Sequence, residues 1–175
     1  MKKHLKSSVA LLLLFIAVTA RFSFAGDIAV PDGWRTPAGA EVEEEWRDYS
    51  PNRYLEVKAD FNGDGAIDAA RILVRPDGSE MALFAFICGK DGSCKEHLLA
   101  SVKGAKASRR MGIDRVHKGL YKTACGKVYR ECKENETPEV EIKNDSIDLF
   151  DFTGGNSYFY WDEGKKAFER VWMSD

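Results

Sequence analysis

Glu80-Met81-Ala82-Leu83-Phe84-Ala85-Phe86-Ile87-Cys88 is followed by the polar stretch Gly89-Lys90-Asp91-Gly92-Ser93 and then by residues 94–102. This segment decides the fold. The run from Met81 to Cys88 is apolar throughout, with Leu83, Phe84, Phe86 and Ile87 at its heart, the composition of a buried central strand. Asp91-Gly92 favours a tight hairpin, so residues 94–102 are expected to return antiparallel to it. Upstream, residues 68–75 are apolar and partly β-branched, Pro76-Asp77-Gly78-Ser79 is a turn by composition, and residues 53–58 alternate. Downstream, strands are expected at 139–142, 146–152, 157–162 and 167–173. The last two face each other across Glu163-Gly164-Lys165-Lys166 and are expected to form a hairpin at the centre of the sheet. Residues 26–40 read as an extended lead-in with Trp34 tucked against the core. Residues 41–49 read as one short helix, acidic at its start and stopped by Ser50-Pro51. The expected fold is mainly β, with α+β as the alternative: a single antiparallel β-sheet-dominated domain with one short N-terminal helix.

The first 25 residues have the pattern of a signal peptide. Lys2, Lys3 and Lys6 precede an apolar run over 9–20 broken only by Thr19, and Ser23-Phe24-Ala25 offers small residues for cleavage. The run is short for a bilayer span and ends at Arg21, so residues 26–175 are expected to be periplasmic or secreted, with no transmembrane span after cleavage. Removing the four basic residues of the leader (Lys2, Lys3, Lys6, Arg21) and no acidic ones takes the net charge from −2 to −6. Such a domain has no global attraction to nucleic acid. All four cysteines follow the leader. Each close pair spans a short polar loop, so Cys88–Cys94 and Cys125–Cys132 are the expected disulfides, in keeping with an oxidising compartment.

The strongest chemical signal is Asp60-Phe61-Asn62-Gly63-Asp64-Gly65-Ala66-Ile67-Asp68. Side-chain oxygens stand at positions one, three, five and nine, with glycine at six, the donor set and the turn that a hard cation requires. Position twelve is Arg71 where an EF-hand needs glutamate, so the closing ligand has to be Asp68. In this form the loop resembles the calcium loops of FG-GAP and VCBS-type repeats, which join two strands. The resemblance implies structural Ca²⁺ held by Asp60, Asn62 and Asp64, by the Ala66 carbonyl and by Asp68. It covers about a dozen residues and occurs once, so it implies no propeller of repeated blades. The end of the chain, from Gly119-Leu120-Tyr121-Lys122-Thr123-Ala124-Cys125-Gly126 onward, resembles small secreted bacterial proteins, a likeness that carries no activity.

No catalytic signature is present. The sequence holds no Gly-x-Ser-x-Gly elbow, paired metal-binding histidines or phosphate loop; beyond the leader only His97 and His117 remain. Carboxylates such as Asp148 and Asp151 are compatible with glycoside chemistry only as any acidic pair would be. The expected function is that of an exported, calcium-loop-bearing binding module, of the envelope-inhibitor or immunity type, and not an enzyme. The alternative is a secreted hydrolase with a scattered site. Its partner would be a protein or an anionic envelope polymer. Two stretches are candidates for contact: the basic residues Lys103, Lys106, Arg109 and Arg110, and the aromatic strand bearing Tyr158 and Tyr160.

Overall fold

The structure is a computed structural model that describes residues 28–42, 53–104, 109–127 and 131–174. The expected leader, Lys106, and the expected helix beyond Val42 lie outside the described residues. Of its expected span only Glu41 and Val42 are described: Glu41 ends a 3₁₀ turn over Gly39–Glu41, and Val42 is extended. Ten strands make up about half of the described residues, and every pairing among them is antiparallel.

Strands β1 (Glu56–Ala59), β2 (Asp68–Val74), β3 (Glu80–Cys88) and β4 (Cys94–Lys103) form a four-stranded sheet in sequence order. β3 is where its composition places it, inside the sheet and buried along almost its whole length. Its two faces have different covers. Met81, Leu83 and Ala85 join Val57, Ala70 and Ile72 in the main core. Ala82, Phe84 and Phe86 point the other way, with Ala69 and Leu73, and are roofed by Ile28 and Trp34 of the lead-in. The Trp34 ring meets Phe84 edge to face at 5.0 Å, and the Arg75 guanidinium stacks over the same indole, 4.0 Å from the ring centre. Arg35 fixes the lead-in, exchanging two backbone hydrogen bonds with Val74 and pairing both guanidinium nitrogens with Glu41 at 2.6 Å. β4 carries an irregularity: its partners jump from Leu83↔Ala100 to Phe84↔Leu98. The extra residue turns both Leu99 and Ala100 toward the core and leaves Leu98 exposed.

The second four-stranded sheet has the order β10-β9-β8-β5, built from β5 (Met111–Val116), β8 (Ser146–Asp151), β9 (Asn156–Asp162) and β10 (Ala167–Trp172). Met111, Ile113, Ile147, Leu149 and Phe159 from its inner face complete the same core, so the two sheets enclose one apolar layer. A two-stranded ribbon of β6 (Gly119–Lys122) and β7 (Glu139–Ile142) lies against the outer side. Tyr121 meets Tyr158 at 5.4 Å, and the Ala124 amide donates to the Trp172 carbonyl at 2.8 Å.

Two expectations need correction. The sequence pattern predicts no strand between residues 102 and 139, yet β5 and β6 lie in this basic stretch, because Met111, Ile113 and Val116 are core residues with the charged Asp114 and Arg115 set between the last two. The carboxy-terminal hairpin exists, yet it is not central: β10 is an edge strand, and the inner strands of that sheet are β9 and β8.

Both expected disulfides are formed, and no cysteine is free. Cys88 and Cys94 are direct partners at the end of the β3–β4 ladder, which brings their Cα atoms to 4.0 Å, closer than the usual 4.4–6.8 Å. Cys125 and Cys132 have Cα atoms 4.9 Å apart. Beside them Gly126 admits no side chain, since a Cβ would lie 1.8 Å from the Pro138 carbonyl oxygen.

Phe159, 3% exposed between the sheets, and Trp172, 45% exposed on the edge, make a direct test of this arrangement. Phe159→Ala is expected to lower the unfolding free energy by about 3–5 kcal/mol in urea denaturation, and Trp172→Ala by well under half as much. Equal losses would contradict the placement of the core.

Candidate metal centre

Residues 60–67 join β1 to β2, and the loop is built from side chains that accept hydrogen bonds from its own backbone. Asp60 Oδ1 takes the amides of Gly63 and Asp64 at 2.7 and 3.2 Å, and Oδ2 takes that of Gly65 at 2.9 Å. Asn62 Oδ1 accepts from the Asp64 amide at 3.0 Å, and Asp64 Oδ1 from the Ala66 amide at 2.7 Å. Gly63 and Gly65 hold φ of +77° and +84°, which lets consecutive amides turn inward. The Ala66 N–H, then the Asn62 amide, hold the Asp64 carboxyl below its usual range, with the Lys90 ammonium adding to the effect.

Asp68 is the anchor of the loop. Its side chain is fully buried, with Oδ2 accepting from the Phe61 amide and Oδ1 from the Cys88 amide, each at 2.8 Å. One carboxylate thus ties the start of the loop to the end of β3. Burial pushes its pKa up to about 6 against the pull of those two amides, and the charges of Asp64 and Asp60 push in the same direction.

The donor chemistry fits a hard cation, since carboxylate and amide oxygens retain lone pairs beyond those given to the amides. The structure brings Asp60, Asn62, Asp64 and Ala66 together through one set of turns and sets Asp68 beneath them. Among the described residues, however, no group of three or more His, Cys, Asp or Glu side chains is gathered tightly enough to hold an ion. A coordination shell would require these side chains to close further. Two neighbours from distant parts of the chain flank the loop, and nothing in the spacing announces them. The Asn144 side chain abuts Gly63, where a Cβ would meet its Oδ1 at 2.9 Å, and Lys90 lies over Gly65.

The other candidates are dispersed. His97 faces the inter-sheet layer against Trp161 and Phe168, with ring centres 5.7 and 5.9 Å away, and burial lowers its pKa. His117 is exposed and lies 3.3 Å from Asp145, which also pairs with Arg115. Lys103 is exposed at the end of β4, and Arg109 is exposed in the turn before β5. Arg110 is engaged by Asp151 at 3.1 Å and by Thr153 at 2.7 Å. Tyr158 is covered by Tyr121, whereas Tyr160 lines a cleft of about 230 Å³ together with Thr137, Glu169, Arg170 and Trp172. In that cleft the Arg170 guanidinium stacks 4.0 Å from the Trp172 ring.

Asp148 and Asp151 do not form a pair, because residues three apart on a strand point to opposite faces. Asp148 instead stands across the ladder from Asp114 on one side and Tyr158 on the other, and Asn156 Nδ2 donates to both its oxygens at 3.0 and 3.2 Å. Burial raises its pKa to about 6, and the Asp114 charge adds to the rise, while Asn156 and Lys127 oppose it. A carboxyl whose folded pKa is raised stabilises the fold below its unfolded pKa, near 4, and that stabilisation is lost as pH climbs through about 6. Asp148→Asn, which keeps an acceptor for Asn156, is therefore expected to be more stable than the wild type at pH 8 by about 1–2 kcal/mol after solvent screening. In urea denaturation the difference should vanish at pH 4; a less stable variant at pH 8 would contradict burial as the dominant influence.

Comparison with protein-family models, curated proteins and solved structures finds no match to this chain.

Proposed function

We propose that this chain is an exported binding domain whose 60–68 loop takes up calcium as a structural ion. The observation that carries the proposal is Asp68: a fully buried carboxylate, kept from easy ionisation by burial and by the neighbouring charges of Asp64 and Asp60. A divalent cation among these groups would offset all three charges at once and lock the turn between β1 and β2. Two disulfides suit an oxidising compartment, and among the described residues no helix is long and apolar enough to cross a membrane.

Contact with a partner is assigned to the β9–β10 edge. Trp172, Arg170 and Tyr160 surround the cleft there, and tryptophan, tyrosine and arginine are the residues that carry most binding energy at protein interfaces. A protein that meets this edge, with the exposed Arg109 and Lys103 available to an anionic surface, fits an envelope inhibitor or immunity-type role.

Calcium that binds the folded loop alone should raise the melting temperature with the logarithm of its concentration. Asp64→Asn keeps an acceptor for the Ala66 amide and removes the charge, so it should fold normally and lose most of that dependence. Thermal unfolding of both proteins after chelator treatment, across a calcium titration, checks this. A wild type whose melting is insensitive to calcium would reject the reading.

A further inference from the structure

The cation already nearest the loop belongs to the protein. Lys90 is exposed in the Gly89-Lys90-Asp91-Gly92-Ser93 turn between β3 and β4. A Cβ built on Gly65 would lie 3.7 Å from its Nζ and 3.8 Å from its Cε, so the ammonium rests over the sixth position of the loop. The turn that carries it is firmly held. Cys88 and Cys94 close it covalently, Gly89 donates to the Ser93 carbonyl at 2.7 Å, and Gly92 donates to the Gly89 carbonyl at 2.9 Å. Cys88, at the base of the same turn, supplies the amide that holds Asp68. One disulfide-closed hairpin therefore positions both the deepest carboxylate of the loop and a positive charge at its rim.

We propose that Lys90 is a built-in counter-cation that competes with calcium for the 60–68 loop. Its ammonium, placed over Gly65 without a direct ion pair, partly offsets the negative charge of the loop in the metal-free protein, and it has to swing away when calcium enters, because a second cation in the loop would lie close enough to be strongly repelled. The loop is thereby stable without metal and binds calcium more weakly than its oxygen set alone would give. This inference rests on the calcium reading above and adds the element that sets its affinity.

The test is isothermal calorimetry of calcium binding to the oxidised, chelator-treated chain in wild-type, Lys90→Met and Lys90→Arg forms, with metal-free melting temperatures measured alongside. Lys90→Met keeps the length of the side chain and removes its charge. It should bind calcium about tenfold more tightly than the wild type, a change expected from removing one nearby charge. It should also melt lower in the absence of metal. Lys90→Arg should behave as the wild type in both respects. Calcium binding by Lys90→Met where the wild type shows none would support the proposal in its strongest form. Equal affinity of wild type and Lys90→Met, or equal tightening by Lys90→Arg, would overturn it while leaving the calcium loop standing. Absence of binding in all three proteins would overturn both.

Discussion

Strand β3 is apolar on both faces, and that constraint organises the rest of the molecule. A strand with one wet face can stand at the surface of a single sheet; one without needs a cover on each side. The chain provides both, and they are unlike. On one side stands a whole second sheet, whose Ile113, Ile147 and Phe159 share one core with Leu83 and Ala85. On the other the cover is only the lead-in, with Ile28 and Trp34 laid over Phe84 and Phe86. The thin cover needs external fixing. Arg35 supplies it by pairing with the Val74 backbone and the Glu41 carboxylate, while Arg75 stacks on Trp34.

Much of this was legible in the sequence because local pattern and tertiary demand agree. β3 and β7 have the bounds expected from composition, and the two disulfides match the short polar loops they close. Agreement fails where charge hides periodicity. In Met111-Gly112-Ile113-Asp114-Arg115-Val116 the apolar side chains are few, yet the strand inserts Met111 and Ile113 into the core and pairs with β8, thirty residues and more away. Non-sequential pairing of this kind leaves no local trace, and so the edge position of β10 was hidden as well. Short-range signals describe a hairpin without saying which side of it is open.

The loop shows the same division. Alternating oxygens and a glycine at the sixth position are written in nine consecutive residues. The burial of Asp68, which decides what its charge costs, depends on the end of β3, twenty residues away in sequence. Lys90 and Asn144 reach the loop from a different hairpin and from the turn before β8. Asp148 belongs with these, since its raised pKa comes from burial and from a neighbour on β5, neither of which its own segment reveals.

The open edges of the two sheets carry a further consequence. β4 is ten residues long and would be an inviting template for another chain, but its bulge interrupts the ladder and Lys95, Glu96 and Lys103 stud it with charge. Arg35 occupies the margin of β2 beyond the end of the short β1, and the Tyr54 carbonyl meets the Ile113 amide at the margin of β5. β10 is guarded differently. Its protection is a bond from Ala124 to Trp172, next to the loop closed by Cys125 and Cys132, and so depends on a covalent link that a reducing environment removes. Strand-to-strand self-association of this domain under reducing conditions would therefore begin at β10, where the barrier to mispairing is chemical, and not at β4, where it is built into shape and charge.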